Sequence, residues 1–287
     1  SVTAAALRAL DDASVPALVL KGAALREGFY QGSGARPMSD IDILVPEARI
    51  EDALTALEGA GWQGGADRSW LTTTSHAGTL RSSSGLSLDL HRHALYEARF
   101  REANDLFFAH SVPVEIEGVK ARRMGASDQL LHSLVHGLRW SIARSPIWVL
   151  DAAMILRSRE VEAAAVAERA RFLRLTWAML EGLRIAGAIL DLGPDASAVR
   201  RALEANRVGT LERLEHGSRV SEPGGRLGAL PNLWFAYERS VSSGRPPLAG
   251  FPSFLRKAWG LPADRSLTGL LWTKALKRLR GRAARGA

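Results

Sequence analysis

The chain has 287 residues, of which 46% are hydrophobic and 24% are charged, and it contains no cysteine. This composition is typical of a globular protein that buries a sizeable core. The absence of cysteine excludes a disulfide scaffold, a thiolate nucleophile and any cysteine-ligated zinc or iron–sulfur site. No apolar stretch approaches the roughly 18 residues that a membrane-spanning helix needs, which excludes an integral membrane protein. Since no secretory signal is recognisable, we expect a cytoplasmic protein.

The formal net charge of +8 resides in one segment. Residues 251–287 hold nine basic residues and a single acid, Asp264, whereas the preceding 250 residues are neutral overall. Leucines near helical spacing in this segment predict a basic amphipathic helix. Such a helix either packs on the protein with its basic face in solvent or contacts a polyanion such as RNA, an acidic peptide or a membrane surface.

Helical and strand patterns alternate up to about residue 121. The spacing of apolar residues predicts three helices in this part: Ala4–Leu10, Ala23–Tyr30 and Glu47–Ala60. Apolar runs and alternation predict strands at Pro16–Leu20, Asp40–Val45, Trp70–Thr74, Gly78–Arg81 and Leu86–His91, and a strand or hairpin at Val112–Arg122. The first part of the chain therefore combines both kinds of element.

From Ser127 onward the pattern is almost entirely helical. The predicted helices are Gln129–Trp140, Pro146–Arg157, Glu160–Leu173, Leu175–Leu190 and Pro194–Asn206, followed by a looser stretch at Ser221–Gly250. We therefore predict an α+β protein in which a mixed-sheet domain (1–124) precedes a helical domain (125–250) and the basic C-terminal segment (251–287).

Three aspartates are the most informative residues. Asp40 and Asp42 alternate with isoleucines on a predicted strand, so both carboxylates project from one face. In Leu86–His91, alternation places Asp89 on the polar face of another strand. An Asp-x-Asp pair without a third carboxylate also occurs at solvated strand starts that bind no metal. If the two strands are neighbours, however, three carboxylates converge and suit Mg²⁺ or Mn²⁺, and two such ions roughly 4 Å apart would activate an oxygen nucleophile.

A second pattern is the sequence Leu20-Lys21-Gly22, where a predicted buried strand turns directly into a helix. A helix N-terminus offers free N–H groups, and glycine allows a phosphate to approach the backbone closely. Lys21 adds a positive charge for the same anion. Many α/β proteins also join a strand to a helix in this way without binding phosphate.

The order of these motifs resembles the nucleotidyltransferases of the DNA polymerase β superfamily. More closely, LKGAAL, R-x-M-x-DIDILV, G-W, LDLH, LLHSLVHG and PIWVLDAAMIL are similar to a largely uncharacterised bacterial nucleotidyltransferase family, over roughly residues 15–160. The resemblance implies a palm-like mixed sheet, metal-binding aspartates at 40, 42 and 89, and a phosphate-contacting turn at Lys21-Gly22. Where the superfamily usually has Gly-Ser, this chain has Lys-Gly, which leaves the identity of the donor open.

Residues near these motifs supply further candidates. Arg36 is a candidate phosphate contact or partner for the carboxylates, and Ser39 is a candidate hydrogen-bond donor to a phosphate. His91 shares the face of Asp89 and is a candidate base, phosphate contact or supporting partner. In the family-like helical segment, His136, Trp148 and Asp151 are candidates for the wall that receives the acceptor, although simple packing would also explain them.

The sequence therefore predicts a metal-dependent nucleotidyltransferase that moves a nucleoside monophosphate from a nucleoside triphosphate to a hydroxyl or phosphate group. Asp89 would also help to deprotonate the acceptor, and a small molecule or peptide is favoured over nucleic acid as that acceptor. Two alternatives remain at this point. One is a glycosyltransferase whose Asp-x-Asp pair holds the metal–diphosphate of a nucleotide sugar, and the other is a catalytically silent binding module with a docking tail.

Overall fold

The computed structural model describes residues 2–32, 35–38, 40–64, 68–73, 75–139, 145–220, 230–240, 248–259 and 261. Within these residues, seven strands form one mixed sheet in the order β3-β4-β5-β2-β1-β7-β6. The strands are β1 (Leu18–Leu20), β2 (Asp40–Leu44), β3 (Gln63–Gly64), β4 (Ala77–Arg81), β5 (Ser87–His91), β6 (Ser111–Ile116) and β7 (Val119–Met124). The predicted strand or hairpin at Val112–Arg122 is thus an antiparallel hairpin of β6 and β7.

In the described part of the chain, five helices are interspersed with the strands: α1 (Val2–Asp12), α2 (Lys21–Phe29), α3 (Ile50–Gly59), α4 (Arg68–Thr73) and α5 (Arg101–Ala109). Every described element after Met124 is helical. These are α6 (Ala126–Leu138), α7 (Ile147–Arg157), α8 (Ala163–Phe172), α9 (Thr176–Ile189), α10 (Pro194–Glu204), α11 (Thr210–Val220), α12 (Leu230–Arg239) and α13 (Phe251–Ala258), with short 3₁₀ turns at Glu47–Arg49 and Leu248–Gly250. The predicted α+β class is confirmed, and none of the described helices is long and apolar enough to cross a membrane.

The two faces of the sheet contact different helices. Ile41, Ile43, Leu88 and Leu90 belong to one apolar cluster, which also contains residues of α1 and α3. Because side chains alternate along a strand, the aspartates of β2 and β5 project from the opposite face. On that face, residues of β1 share a second cluster with α6 to α10. The carboxylates therefore lie on the sheet face that the later helices cover. The division at residue 124 stays a prediction.

Two sequence predictions differ from the structure. The predicted strand Trp70–Thr74 is wrong, because Arg68–Thr73 form a helix. Although threonines favour strands, Leu71 of this helix is buried against Gly78 of β4, and tertiary burial outweighs local propensity here. The stretch Ser221–Gly250, predicted to be loose, contains α12, whose Pro231 stands in the first turn where proline is tolerated.

The predicted basic amphipathic helix, whose leucines lie between Leu267 and Leu279, is outside the described residues, since 262–287 are not among them. Of the C-terminal segment the structure describes 251–259 and 261, where α13 carries Arg256 and Lys257 in its last turn. The partner of the basic C-terminal segment stays a prediction.

Candidate active site

The predicted convergence of the aspartates depends on strand pairing. Strands β2 and β5 are parallel neighbours, and their register places Asp42 directly beside Asp89. Asp40 lies one pleat earlier on β2, opposite Ser87. The three carboxylates therefore lie close together on one face at the centre of the sheet.

Asp42 is the most deeply buried of the three, with 2% of its surface exposed. Its Oδ1 lies 2.5 Å from the Lys21 ammonium and 2.9 Å from Nε2 of His91. Burial by itself raises the pKa of Asp42, but the hydrogen bond with His91 and the charge of Lys21 outweigh burial and lower the pKa. Asp42 is therefore an ionised carboxylate that two neighbouring side chains stabilise.

A group of possible metal ligands is formed by Asp42, Asp89 and His91, whose ligand atoms all lie within 4.8 Å of one another. The Thr79 hydroxyl donates a hydrogen bond of 2.6 Å to Oδ1 of Asp89, and this bond orients the carboxylate. Two carboxylates and an imidazole suit a divalent cation, and the carboxylates suit Mg²⁺ or Mn²⁺. The predicted metal ligand Asp40 lines the same cavity. The geometry thus fits a divalent metal, while the assignment of the individual ligands stays a prediction.

In the turn between β1 and α2, the residue with a positive φ is not the one that the sequence indicates. Lys21, not the glycine, adopts the left-handed conformation, with φ of +46°. Gly22 is required for another reason, because a Cβ atom added there would lie 2.8 Å from Cγ of Met38. Gly22 therefore lets Met38 pack against the turn, and both residues line the cavity in which the phosphate-binding hypothesis places the donor.

Arg36 is held by the helical half of the chain. Its Nε and Nη2 atoms donate to Oδ1 and Oδ2 of Asp151 on α7, at 2.8 and 3.0 Å. The Tyr30 hydroxyl donates to the same carboxylate at 2.9 Å. Burial raises the pKa of Asp151, and the contacts of Arg36 and Tyr30 oppose this shift. Asp151, predicted as a wall residue, therefore also orients Arg36.

These residues surround one cavity of about 730 Å³, which lies between the sheet and helices α2, α6 and α7. This volume is in the range of pockets that bind small molecules. Nine of the predicted site residues line it: Lys21, Gly22, Arg36, Asp40, Asp42, Asp89, His136, Trp148 and Asp151. His91 is buried behind Asp42 and outside the lining, and Ser39 lies outside the described residues.

The helical wall of the cavity contains residues that were not predicted as site residues. Ser133 and Gly137 line it together with His132 and His136, and this spacing places all four on one face of α6. That periodicity is the sequence signal by which Ser133 and Gly137 could have been found. A Cβ atom on Gly137 would lie 2.3 Å from Cγ of Trp148, so the glycine allows the indole ring to pack against α6.

The two histidines of this wall are stacked, with ring centroids 5.7 Å apart and an interplanar angle of 9°. Burial, reinforced by the charge of Lys21, lowers the pKa of His132 to about 3 and holds that of His136 well below its usual value. Both imidazoles are therefore neutral near pH 7. The two stacked histidines therefore contribute no charge to the helical wall opposite the acidic face of the sheet.

Residues 3–191 match the family described as "Uncharacterised nucleotidyltransferase", and this range includes every residue that lines the cavity. No curated protein matches the chain. Similar solved structures include the antibiotic-resistance factor ANT(2'')-Ia, at 16% identity over 63% of this chain and 94% of that one, with a TM-score of 0.43. Another is an antigenic nucleotidyltransferase-like protein from Paracoccidioides brasiliensis, at 16% identity over 73% of this chain and 93% of that one, with a TM-score of 0.44. Because the family match covers well over half of the chain, this protein belongs to the uncharacterised nucleotidyltransferase family.

Proposed function

We propose that this nucleotidyltransferase moves a nucleoside monophosphate from a nucleoside triphosphate to a hydroxyl or phosphate group of a small molecule or peptide, in a metal-dependent reaction. The observation that carries the proposal is the register of β2 and β5, which brings Asp42 beside Asp89 at the base of a cavity that Lys21 and Arg36 also line. An acidic cluster beside two cations in one cavity matches a metal-bound polyphosphate.

The donor phosphates are assigned to the side of the cavity formed by α2 and the residues before β2. Gly22 lines the cavity at the N-terminus of α2, where free N–H groups favour an anion. Arg36 presents a guanidinium that Asp151 orients, and Lys21 contributes an ammonium from the same turn. We also assign Ser39, next to Asp40 in the sequence, to this side.

The carboxylates would hold Mg²⁺ or Mn²⁺, with Asp42 and Asp89 as ligands and Asp40 or His91 completing the set. When bound, the metal would neutralise the charge that develops on the transferred phosphoryl group. Asp42 suits this role because its lowered pKa keeps it ionised. Asp89 would also accept the proton of the attacking acceptor hydroxyl, because its carboxylate is less buried and faces the cavity.

The acceptor is assigned to the helical wall, where His136, Ile147 and Trp148 line the cavity. A volume of about 730 Å³ has to hold both donor and acceptor group, which favours a small molecule or a peptide side chain over a folded nucleic acid. In the reaction the acceptor oxygen forms a bond to the α-phosphorus, and the bond from that phosphorus to the bridging oxygen of the β-phosphate breaks. Pyrophosphate is the leaving group.

Labelled donors test this proposal. The protein is incubated with Mg²⁺ or Mn²⁺, pooled small-molecule and peptide acceptors, and each nucleoside triphosphate labelled on either the α- or the γ-phosphorus. We expect α-label to appear in an acceptor product together with pyrophosphate, and we expect Asp42→Asn to abolish the transfer. Asp52→Asn is the matched control, since Asp52 is an exposed carboxylate that pairs with Arg49.

Transfer of the γ-label would indicate a phosphotransferase and contradict the proposal. In a parallel incubation, nucleotide sugars replace the triphosphates as donors. Release of a nucleoside diphosphate from them, without release of pyrophosphate from triphosphates, would indicate a glycosyltransferase instead. Retention of transfer by Asp42→Asn would contradict the assignment of the site.

A further inference from the structure

The ion pair between Lys21 and Asp42 occupies the centre of the candidate active site. The Lys21 ammonium lies 2.5 Å from Oδ1 of Asp42, which is also the oxygen that Nε2 of His91 contacts. We infer that Lys21 is the resident counter-ion of Asp42 and leaves it for the donor phosphates, so that a divalent cation and the nucleotide bind cooperatively. This inference rests on the proposed function and adds a binding order to it.

Burial explains why Asp42 needs a counter-ion. The side chain of Asp42 is 2% exposed, and an unpaired carboxylate at such a depth is strongly destabilised. Lys21 is 20% exposed and approaches from the cavity side, whereas His91 is buried behind the carboxylate. A cation that arrives through the cavity therefore meets the ammonium first, and the two positive charges repel each other at this short distance.

The local structure allows Lys21 to change partners. Its ammonium is a compact charge on a flexible stem of four carbons, so it can move several ångströms without a shift of the backbone. The backbone itself holds an unfavourable left-handed φ of +46° at the point where α2 begins, and strain of this kind often accompanies functional positions. Gly22 follows directly, so a phosphate at this turn would lie within reach of the ammonium.

The second cation of the donor side, Arg36, is held in a different way. Arg36 donates to both oxygens of Asp151, so it meets phosphates as part of an oriented pair. Lys21 instead neutralises a predicted metal ligand. Once phosphates supply another anion, Lys21 can release Asp42 to the metal. By linkage, each ligand then strengthens the binding of the other to the same degree.

Binding of Mn²⁺ to the full chain, measured by the electron paramagnetic resonance signal of free Mn²⁺, tests this inference. Without nucleotide, we expect Lys21→Met to bind Mn²⁺ at least about tenfold more tightly than the wild type. A non-hydrolysable nucleoside triphosphate should then increase the Mn²⁺ affinity of the variant less than that of the wild type. Arg26→Met removes one charge from the same helix without contacting Asp42, and should bind Mn²⁺ as the wild type does.

Lys21→Gln replaces Lys21→Met if thermal unfolding shows that the methionine variant does not fold, and carries the same expectation. If the folded variant binds Mn²⁺ equally well or more weakly than the wild type does, the inference is overturned. The proposed function, nucleotidyl transfer, is not affected by that result. Mn²⁺ binding to neither protein, with or without nucleotide, would overturn both the inference and the proposed function. Tight Mn²⁺ binding by Lys21→Met without any label transfer would support the inference and count against the proposed function alone.

Discussion

Arg36 and Asp151 are 115 residues apart in the sequence and form a two-point ion pair, with N–O distances of 2.8 and 3.0 Å. The pair joins the segment before β2 to helix α7 of the helical half. Both side chains are largely buried, at 12% and 4% exposure, so the interaction is weakly screened by solvent. The position of a proposed phosphate contact therefore depends on a helix that lies far along the chain.

Asp151→Asn tests this dependence. Asparagine keeps the shape of the side chain but removes the charge and one of the two acceptors, so the Arg36 guanidinium becomes less well oriented. We expect the KM for the nucleoside triphosphate to rise about tenfold, with a smaller fall in kcat, as the two-point geometry is lost. Tyr30→Phe removes only one hydrogen bond to the same carboxylate and should have a smaller effect. Steady-state kinetics measure the KM, and thermal unfolding measures the Tm. An unchanged KM together with a lower Tm would indicate that the pair of Arg36 and Asp151 is purely structural.

Gly22→Ala should destabilise the turn that begins α2. The added Cβ would lie 2.8 Å from Cγ of Met38, so the flexible methionine has to move, at a cost of about 1–3 kcal/mol. Denaturant unfolding measures this loss. Because Met38→Ala removes the obstructing atoms, the double variant should lose less stability than the sum of the single variants. Gly59→Ala is the control, since nothing lies within 4 Å of its added Cβ; additive losses at positions 22 and 38 would contradict the proposed contact.

Gly137→Ala should be more damaging than Gly22→Ala. Its Cβ would lie 2.3 Å from Cγ and 2.5 Å from Cδ2 of the rigid Trp148 ring, so α6 and α7 have to separate. We expect a loss of about 3 kcal/mol in the free energy of unfolding, together with weaker nucleotide or acceptor binding in the cavity. In Gly187→Ala on α9 the nearest contact to the added Cβ would be 4.0 Å, an ordinary distance, so this variant should retain wild-type stability. Equal stability of the two variants would show that Trp148 does not pack as described.

The pair of Glu97 and Arg139 should make stability depend on pH. Burial by itself raises the pKa of Glu97, but the charge and hydrogen bonds of Arg139 outweigh burial and lower the pKa from 4.5 to about 2. Because the pKa is lower in the folded state, the stabilisation is complete above about pH 4.5 and is lost as the pH falls towards 2, by about 3 kcal/mol in total. Glu97→Gln should therefore flatten the stability profile between these pH values.

Urea unfolding at a series of pH values provides the measurement for Glu97. Glu102→Gln, at an exposed carboxylate in the first turn of α5, should keep the wild-type slope. If Glu97→Gln also keeps that slope, the pair with Arg139 does not govern acid stability.

Local patterns in the sequence determined much of this protein. Alternation placed Asp40 and Asp42 on one strand face and Asp89 on the polar face of another, because successive side chains on a strand point to opposite sides. Alternation marked β2 and β5, a short apolar run marked β1, and the order of the motifs indicated the nucleotidyltransferase family that residues 3–191 match. These features depend on backbone geometry over a few residues, so the sequence alone is sufficient to find them.

Only the tertiary structure decided which charges meet. The register of β2 and β5 placed Asp42 beside Asp89. Folding also brought Lys21 to Asp42 across 21 residues of sequence, and Arg36 to Asp151 across 115 residues. The same holds for α4, where burial of Leu71 on the sheet outweighed a threonine-rich strand pattern. Nothing in a short window encodes such partners, because they depend on how distant segments pack, and long-range packing sets the charge balance around a buried carboxylate.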